Sequence, residues 1–77
     1  MIRKLENIKK TNDKRTYLIK YKKDKRYNWK NIRFIVVKIN NKWYLDEFIF
    51  IGNDQYLDRG NLLMIESVLR GLGDGKN

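Results

Sequence analysis

The chain has 77 residues, enough for one small domain (1–77) with a modest core, and carries a formal net charge of +9. It contains no cysteine and no histidine, which removes disulfides, thiolate metal sites and the commonest general base together. Ser67 is its one serine, threonine occurs twice, and no glycine-rich phosphate loop is present, so the expectation is a non-enzymatic protein without metal or cofactor.

Alanine and proline are absent, whereas lysine, asparagine and isoleucine fill 12, 9 and 9 positions. Those three residues have A/T-rich codons, so part of the charge reflects an A/T-rich genome, such as that of a bacterium, phage or other mobile element. Codon bias does not explain the distribution. Residues 1–33 hold thirteen Lys/Arg against three acids, a net of +10, while residues 34–77 hold five against six, a net of −1. Such asymmetry points to an anionic partner. No apolar run approaches the roughly 20 residues of a membrane span, and MIRKLENIKK lacks an apolar signal-peptide core. The expected setting is the cytoplasm, with no membrane partner.

In chain order, Ile2, Leu5 and Ile8 recur at a spacing that fits a short helix over 2–10 and leaves a strand open. Thr11-Asn12-Asp13 is turn chemistry. Residues 16–23, TYLIKYKK, read as a strand with Tyr17, Ile19 and Tyr21 on one face and Leu18, Lys20 and Lys22 on the other. The charged segment 24–31 leads to the strongest local signal, strands over 32–39 and 42–51 around Asn40-Asn41, both of which tolerate the positive φ of a type I′ turn. An unbroken register puts Ile32, Phe34, Val36, Trp43, Leu45, Ile49 and Ile51 on one face. The other then carries Arg33, Ile35, Val37, Ile39, Tyr44, Asp46, Phe48 and Phe50. Gly52-Asn53-Asp54 breaks the strand, and Asp58 or Asn61 caps a helix over about 59–72 with Leu62, Ile65, Val68, Leu69 and Leu72 on one face. Gly71 and Gly73 end it. The expected fold is α+β: a three-stranded antiparallel meander crossed by a C-terminal helix, with or without a short N-terminal one.

Asn41-Lys42-Trp43-Tyr44-Leu45-Asp46-Glu47-Phe48, preceded by Val36-Val37-Lys38, resembles the final strands of small bacterial nuclear-transport-factor-two-like (cystatin-like cone) domains. The resemblance covers residues 16–51 and lacks the family's long N-terminal helices. It implies a sheet with a pocket lined by Trp43, Phe34 and Leu45, or a dimer surface, and no fixed activity.

The richest functional stretch is Lys20 to Lys30. Lys20, Lys22, Lys23, Lys25, Arg26 and Lys30 are interleaved with Tyr21, Tyr27 and Trp29. Cations neutralise phosphates and release counterions, while flat rings stack unpaired bases. The expectation is nucleic-acid or nucleoprotein binding by a regulator or inhibitor, with Tyr27 and Trp29 stacking or anchoring. The alternative is a protein-interaction module, with an acidic protein or a second copy docking on Tyr44, Phe48 and Phe50. Asp46 and Glu47 are strand neighbours that point to opposite faces and do not make a paired-carboxylate site. Asn53, Asp54 and Asp58 lack calcium-loop spacing and suit loop and capping duty.

Overall fold

A computed structural model describes residues 1–51 and 59–73. Strands β1 (Ile2–Lys10), β2 (Lys14–Lys22), β3 (Lys30–Ile39) and β4 (Lys42–Ile51) precede one helix, α1 (Arg59–Gly71). The strands form one antiparallel sheet in the order β1-β2-β3-β4. The sheet therefore has four strands rather than the expected three, and the N-terminal segment is an edge strand rather than a helix.

The reason lies in length and pairing. An isolated helix shorter than about 12–15 residues is marginal in water, because its nucleation cost is recovered over too few bonds. As a strand the same segment pairs along β2 from Ile2↔Lys22 to Lys10↔Arg15. The three-residue spacing has no role in the strand: Ile2 pairs with Lys22 and Leu5 with Ile19, on opposite faces, and Ile8 falls at a bulge between Asn7 and Lys9. The tight turn into β2 is held by Thr11, whose hydroxyl accepts from the Lys14 N–H at 3.1 Å and whose N–H donates to the Lys14 carbonyl at 2.8 Å.

The β3–β4 hairpin turns on Asn40 (φ 52°) and Asn41 (φ 67°), the two left-handed residues of a type I′ turn. Its first pairs, Ile39↔Lys42, Val37↔Tyr44 and Val36↔Leu45, follow the unbroken register. Between Ile35 and Val36 the register then shifts, giving Ile35↔Glu47, Phe34↔Phe48 and Ile32↔Phe50, with Asp46 as the extra residue. Because side chains alternate with period two, one inserted residue inverts everything beyond it. Phe48 and Phe50 thus join Phe34 and Ile32, while Ile49 and Ile51 move to the opposite face. Deleting Asp46 returns both phenylalanines to the face away from the core. We expect that deletion to lower stability by about 1–3 kcal/mol, read from the urea midpoint.

The core lies on one face of the sheet. Tyr17, Ile19 and Tyr21 from β2, Ile32, Phe34 and Val36 from β3, Trp43 from β4 and Ile65 from α1 are buried. Tyr17 and Phe34 stack across the two central strands, their centroids 5.2 Å apart and their planes 16° from parallel. Phe48 and Phe50 meet edge to face at 5.7 Å. The Arg15 guanidinium lies 4.9 Å above the Trp43 ring and covers the end of the core nearest the turns.

The helix packs through Ile65 with Met64, Val68, Leu69 and Leu72 beside it. Leu62, expected on that face, is exposed, and the fully buried Asn61 takes its place one helical turn before Ile65. Asn61 lies inside α1 rather than capping it, and its Oδ1 accepts a hydrogen bond from Arg3 Nε at 3.0 Å, which ties helix to edge strand. The Arg3 guanidinium presses so closely on Gly60 that a Cβ there would overlap it. At the other end Gly73 (φ 93°) donates its N–H to the Arg70 carbonyl at 3.1 Å and caps the helix. A helix of 13 residues is about 20 Å long, against about 34 Å for a 10-residue strand. It covers only part of one face. No described element packs on the other.

Candidate nucleic-acid interface

The alternation that buries Tyr17, Ile19 and Tyr21 sends Lys14, Thr16, Leu18, Lys20 and Lys22 to the uncovered face. Pairing extends that surface sideways. Lys4 lies beside Lys20, Leu18 beside Arg33, and Arg33 beside Ile49. Lys4, Lys9, Lys14, Lys20, Lys22, Arg33 and Lys42 thus share one face with Glu6 and Glu47. Glu6 is engaged, with its Oε1 3.2 Å from Lys20 Nζ.

Trp29 belongs to this surface. Its half-buried ring has Lys22 Nζ 4.3 Å and Lys4 Nζ 5.3 Å from its centroid. Both lysines lie on the uncovered face, so the indole is held there and not in the core. Cation–π contacts at exposed sites contribute about 0.5–1 kcal/mol, whereas stacking a nucleobase on a protein ring contributes about 1–3 kcal/mol. An incoming base can therefore displace a lysine from the ring and leave its ammonium beside a phosphate.

The loop between β2 and β3 lacks glycine but is ordered by Asp24. The Asp24 carboxylate accepts from the Arg26 N–H at 2.8 Å and from the guanidinium at 3.0 Å, and the Asp24 carbonyl accepts from the Tyr27 N–H at 3.2 Å. The Arg26 side-chain hydrogen bond, followed by its backbone N–H, holds the Asp24 carboxyl below its ordinary value of 3.8. A depressed carboxyl favours the folded turn above the unfolded pKa and loses that contribution as pH falls through the folded one, so the turn loosens only below pH 3.8. We expect Asp24→Asn, which releases Arg26 from its carboxylate, to steepen the salt dependence of single-strand binding by about 0.7 in log–log slope, measured by fluorescence titration.

The structure brings together Lys20, Lys22 and Trp29. In the loop, Lys23 Nζ lies 6.0 Å from the ring centroid of the exposed Tyr27, Lys25 is exposed, and the exposed Arg26 is held by Asp24. Lys30 stands apart: it pairs with Tyr21 and so starts β3 on the helix side of the sheet. Lys4, Lys9, Lys14 and Arg33 escaped the sequence reading. Lys4 becomes visible only once 2–10 is a strand, since its parity against β2 then sets it beside Lys20. The proposed docking patch is split, with Tyr44 on the uncovered face and Phe48 and Phe50 on the helix face. Glu47 faces Ile35, not Phe34, because of the bulge. Among the described residues no group of three or more His, Cys, Asp or Glu could hold a metal ion, and no helix is long and apolar enough to cross a membrane. Asn53, Asp54 and Asp58 lie outside the described residues.

Compared with protein-family models, curated proteins and solved structures, the chain matches none. The likeness of residues 16–51 to cone domains therefore stays a resemblance.

Proposed function

We propose that this is a non-enzymatic, basic binding protein that holds single-stranded nucleic acid on the uncovered face of its sheet. The observation that carries the reading is Trp29, set between Lys4 and Lys22 on a cationic surface that no described element covers. A row of cations beside a flat ring is what an unpaired strand needs, since backbone charge and base faces are met on one surface. A single strand fits better than a duplex, whose stacked bases offer no free face to the indole.

A regulator or inhibitor of a nucleic-acid-processing complex from a mobile element suits a chain of this size and composition. Exposed Ile39, Tyr44 and Ile51 on the same face favour a second reading, an acidic protein as partner. A second copy of the chain fits this face poorly, because lysine would meet lysine.

The test is titration with single- and double-stranded DNA and RNA at several salt concentrations, following tryptophan emission. Trp43 is buried, so quenching reports Trp29. If Lys4, Lys20, Lys22 and Arg33 each neutralise a phosphate, the slope of log affinity against log salt is about −3 for a single strand. A preference for duplex, or a slope near zero, rejects the reading.

A further inference from the structure

The uncovered face also holds a groove that the Trp29 end does not use. It lies at the β1–β2 turn, encloses about 410 Å³, and is lined by apolar Ile8 and Ile35 and by polar Lys9, Lys14, Thr16 and Arg33. Small-molecule sites occupy roughly 300–1,000 Å³, so this one takes a ligand of nucleotide size. The β1 bulge builds it. One extra residue bends the edge strand, and both Ile8 and Lys9 line the same hollow. Thr11, also on its rim, is committed to the turn through Lys14.

The charge of the groove is uncompensated. Among the described residues the ion pairs are Lys20–Glu6 and Arg26–Asp24, and neither uses Lys9, Lys14 or Arg33. Of the acids beside it, Glu47 pairs with Ile35 across the strand, and the Asp13 carboxylate accepts from the Thr11 hydroxyl at 3.2 Å. Neither lines the hollow. Arg33 is exposed on a central strand between Leu18 and Ile49, where its planar fork can meet two oxygens of one anion.

We propose that the groove seats the terminal phosphomonoester of a nucleotide, with its base against Ile8 and Ile35. A phosphomonoester carries about −1.5 to −2 charge at neutral pH, so three clustered cations favour it over a singly charged diester in mid-strand. From Thr16 to Lys22 along β2 is about 20 Å, or about six nucleotides of a stacked strand at roughly 3.4 Å each. A short strand stacked on Trp29 therefore places its end in the groove. The inference rests on the single-strand reading of this face, and the same phosphomonoester could come from a strand end or a free nucleotide.

The experiment is calorimetric titration of the full chain with AMP, adenosine and inorganic phosphate. Hexanucleotides with and without a phosphate at either end form a second arm. AMP binds and adenosine does not; Arg33→Gln weakens AMP by about tenfold or more, and Lys22→Gln leaves it unchanged. A tenfold gain from an end phosphate assigns the groove to strand ends, and AMP binding without that gain assigns it to free nucleotides. Hexanucleotides that bind with steep salt dependence, while AMP and end phosphates have no effect, overturn the groove and leave the face reading standing. AMP binding through Arg33 with no hexanucleotide binding does the reverse.

Discussion

Phe34→Ala is expected to remove about 3–5 kcal/mol of stability, a large share of what a chain of this size has. Phe34 is fully buried on a central strand, stacked on Tyr17 and paired across the ladder with Phe48. Truncating a buried phenylalanine costs about 3–5 kcal/mol through lost transfer energy and the cavity left behind. At about 0.05–0.15 kcal/mol per residue, a 77-residue chain has roughly 4–12 kcal/mol to lose. Only one thin helix backs the core, so little surrounding structure can collapse into the gap. Phe34→Leu keeps most of the volume and gives up the stacking on Tyr17, a loss of about 1 kcal/mol. Urea unfolding followed by circular dichroism ranks the three proteins. A Phe34→Ala variant as stable as its parent would mean that the assignment of the two sheet faces is inverted.

Trp29→Ala is expected to weaken single-strand binding by about 1–3 kcal/mol, roughly 5- to 150-fold, and to lower the urea midpoint less than Trp43→Ala does. The separation follows from where the ring sits. It contributes no buried core contact, and its two lysine contacts sum to at most about 2 kcal/mol at an exposed site. Trp43→Ala behaves in the opposite way: this buried residue supports the core under Arg15, so stability falls first. The contrast between the two tryptophans distinguishes a binding ring from a structural one in a way that neither variant does alone. An acidic protein partner held by charge and by Ile39, Tyr44 and Ile51 would tolerate Trp29→Ala well.

What could be read from the sequence was local. Asn40-Asn41 marked the turn because both side chains accept positive φ, and Tyr17, Ile19 and Tyr21 marked their face because they alternate with Lys20 and Lys22. What could not be read depended on pairing between distant segments. Nothing in IRKLENIKK alone decides strand over helix; β2 decides it by offering a full ladder. Likewise Leu45-Asp46-Glu47-Phe48 shows no glycine or proline to announce a bulge. The bulge follows from burial, since it brings Phe48 and Phe50 to the helix side of the sheet. Both omissions bear on the site. Without β1, Lys4 and Lys9 have no place on the basic face, and without the bulge the phenylalanines are counted on the wrong surface. The basic-aromatic composition of Lys20 to Lys30 was visible, but its division between face and loop was not. Parity assigns Lys20 and Lys22 to the uncovered face, and Asp24 folds Arg26 back on the loop.

The most direct test of the central claim is to map backbone amide shifts of the labelled protein on addition of a single-stranded hexanucleotide at low salt. The account predicts perturbations at Lys4, Lys20, Lys22, Arg33 and the Trp29 indole, with Ile65, Val68 and Leu69 on the helix unmoved. Perturbations concentrated on the helix and the Leu45–Phe48 side, or none with any strand tested, would contradict it.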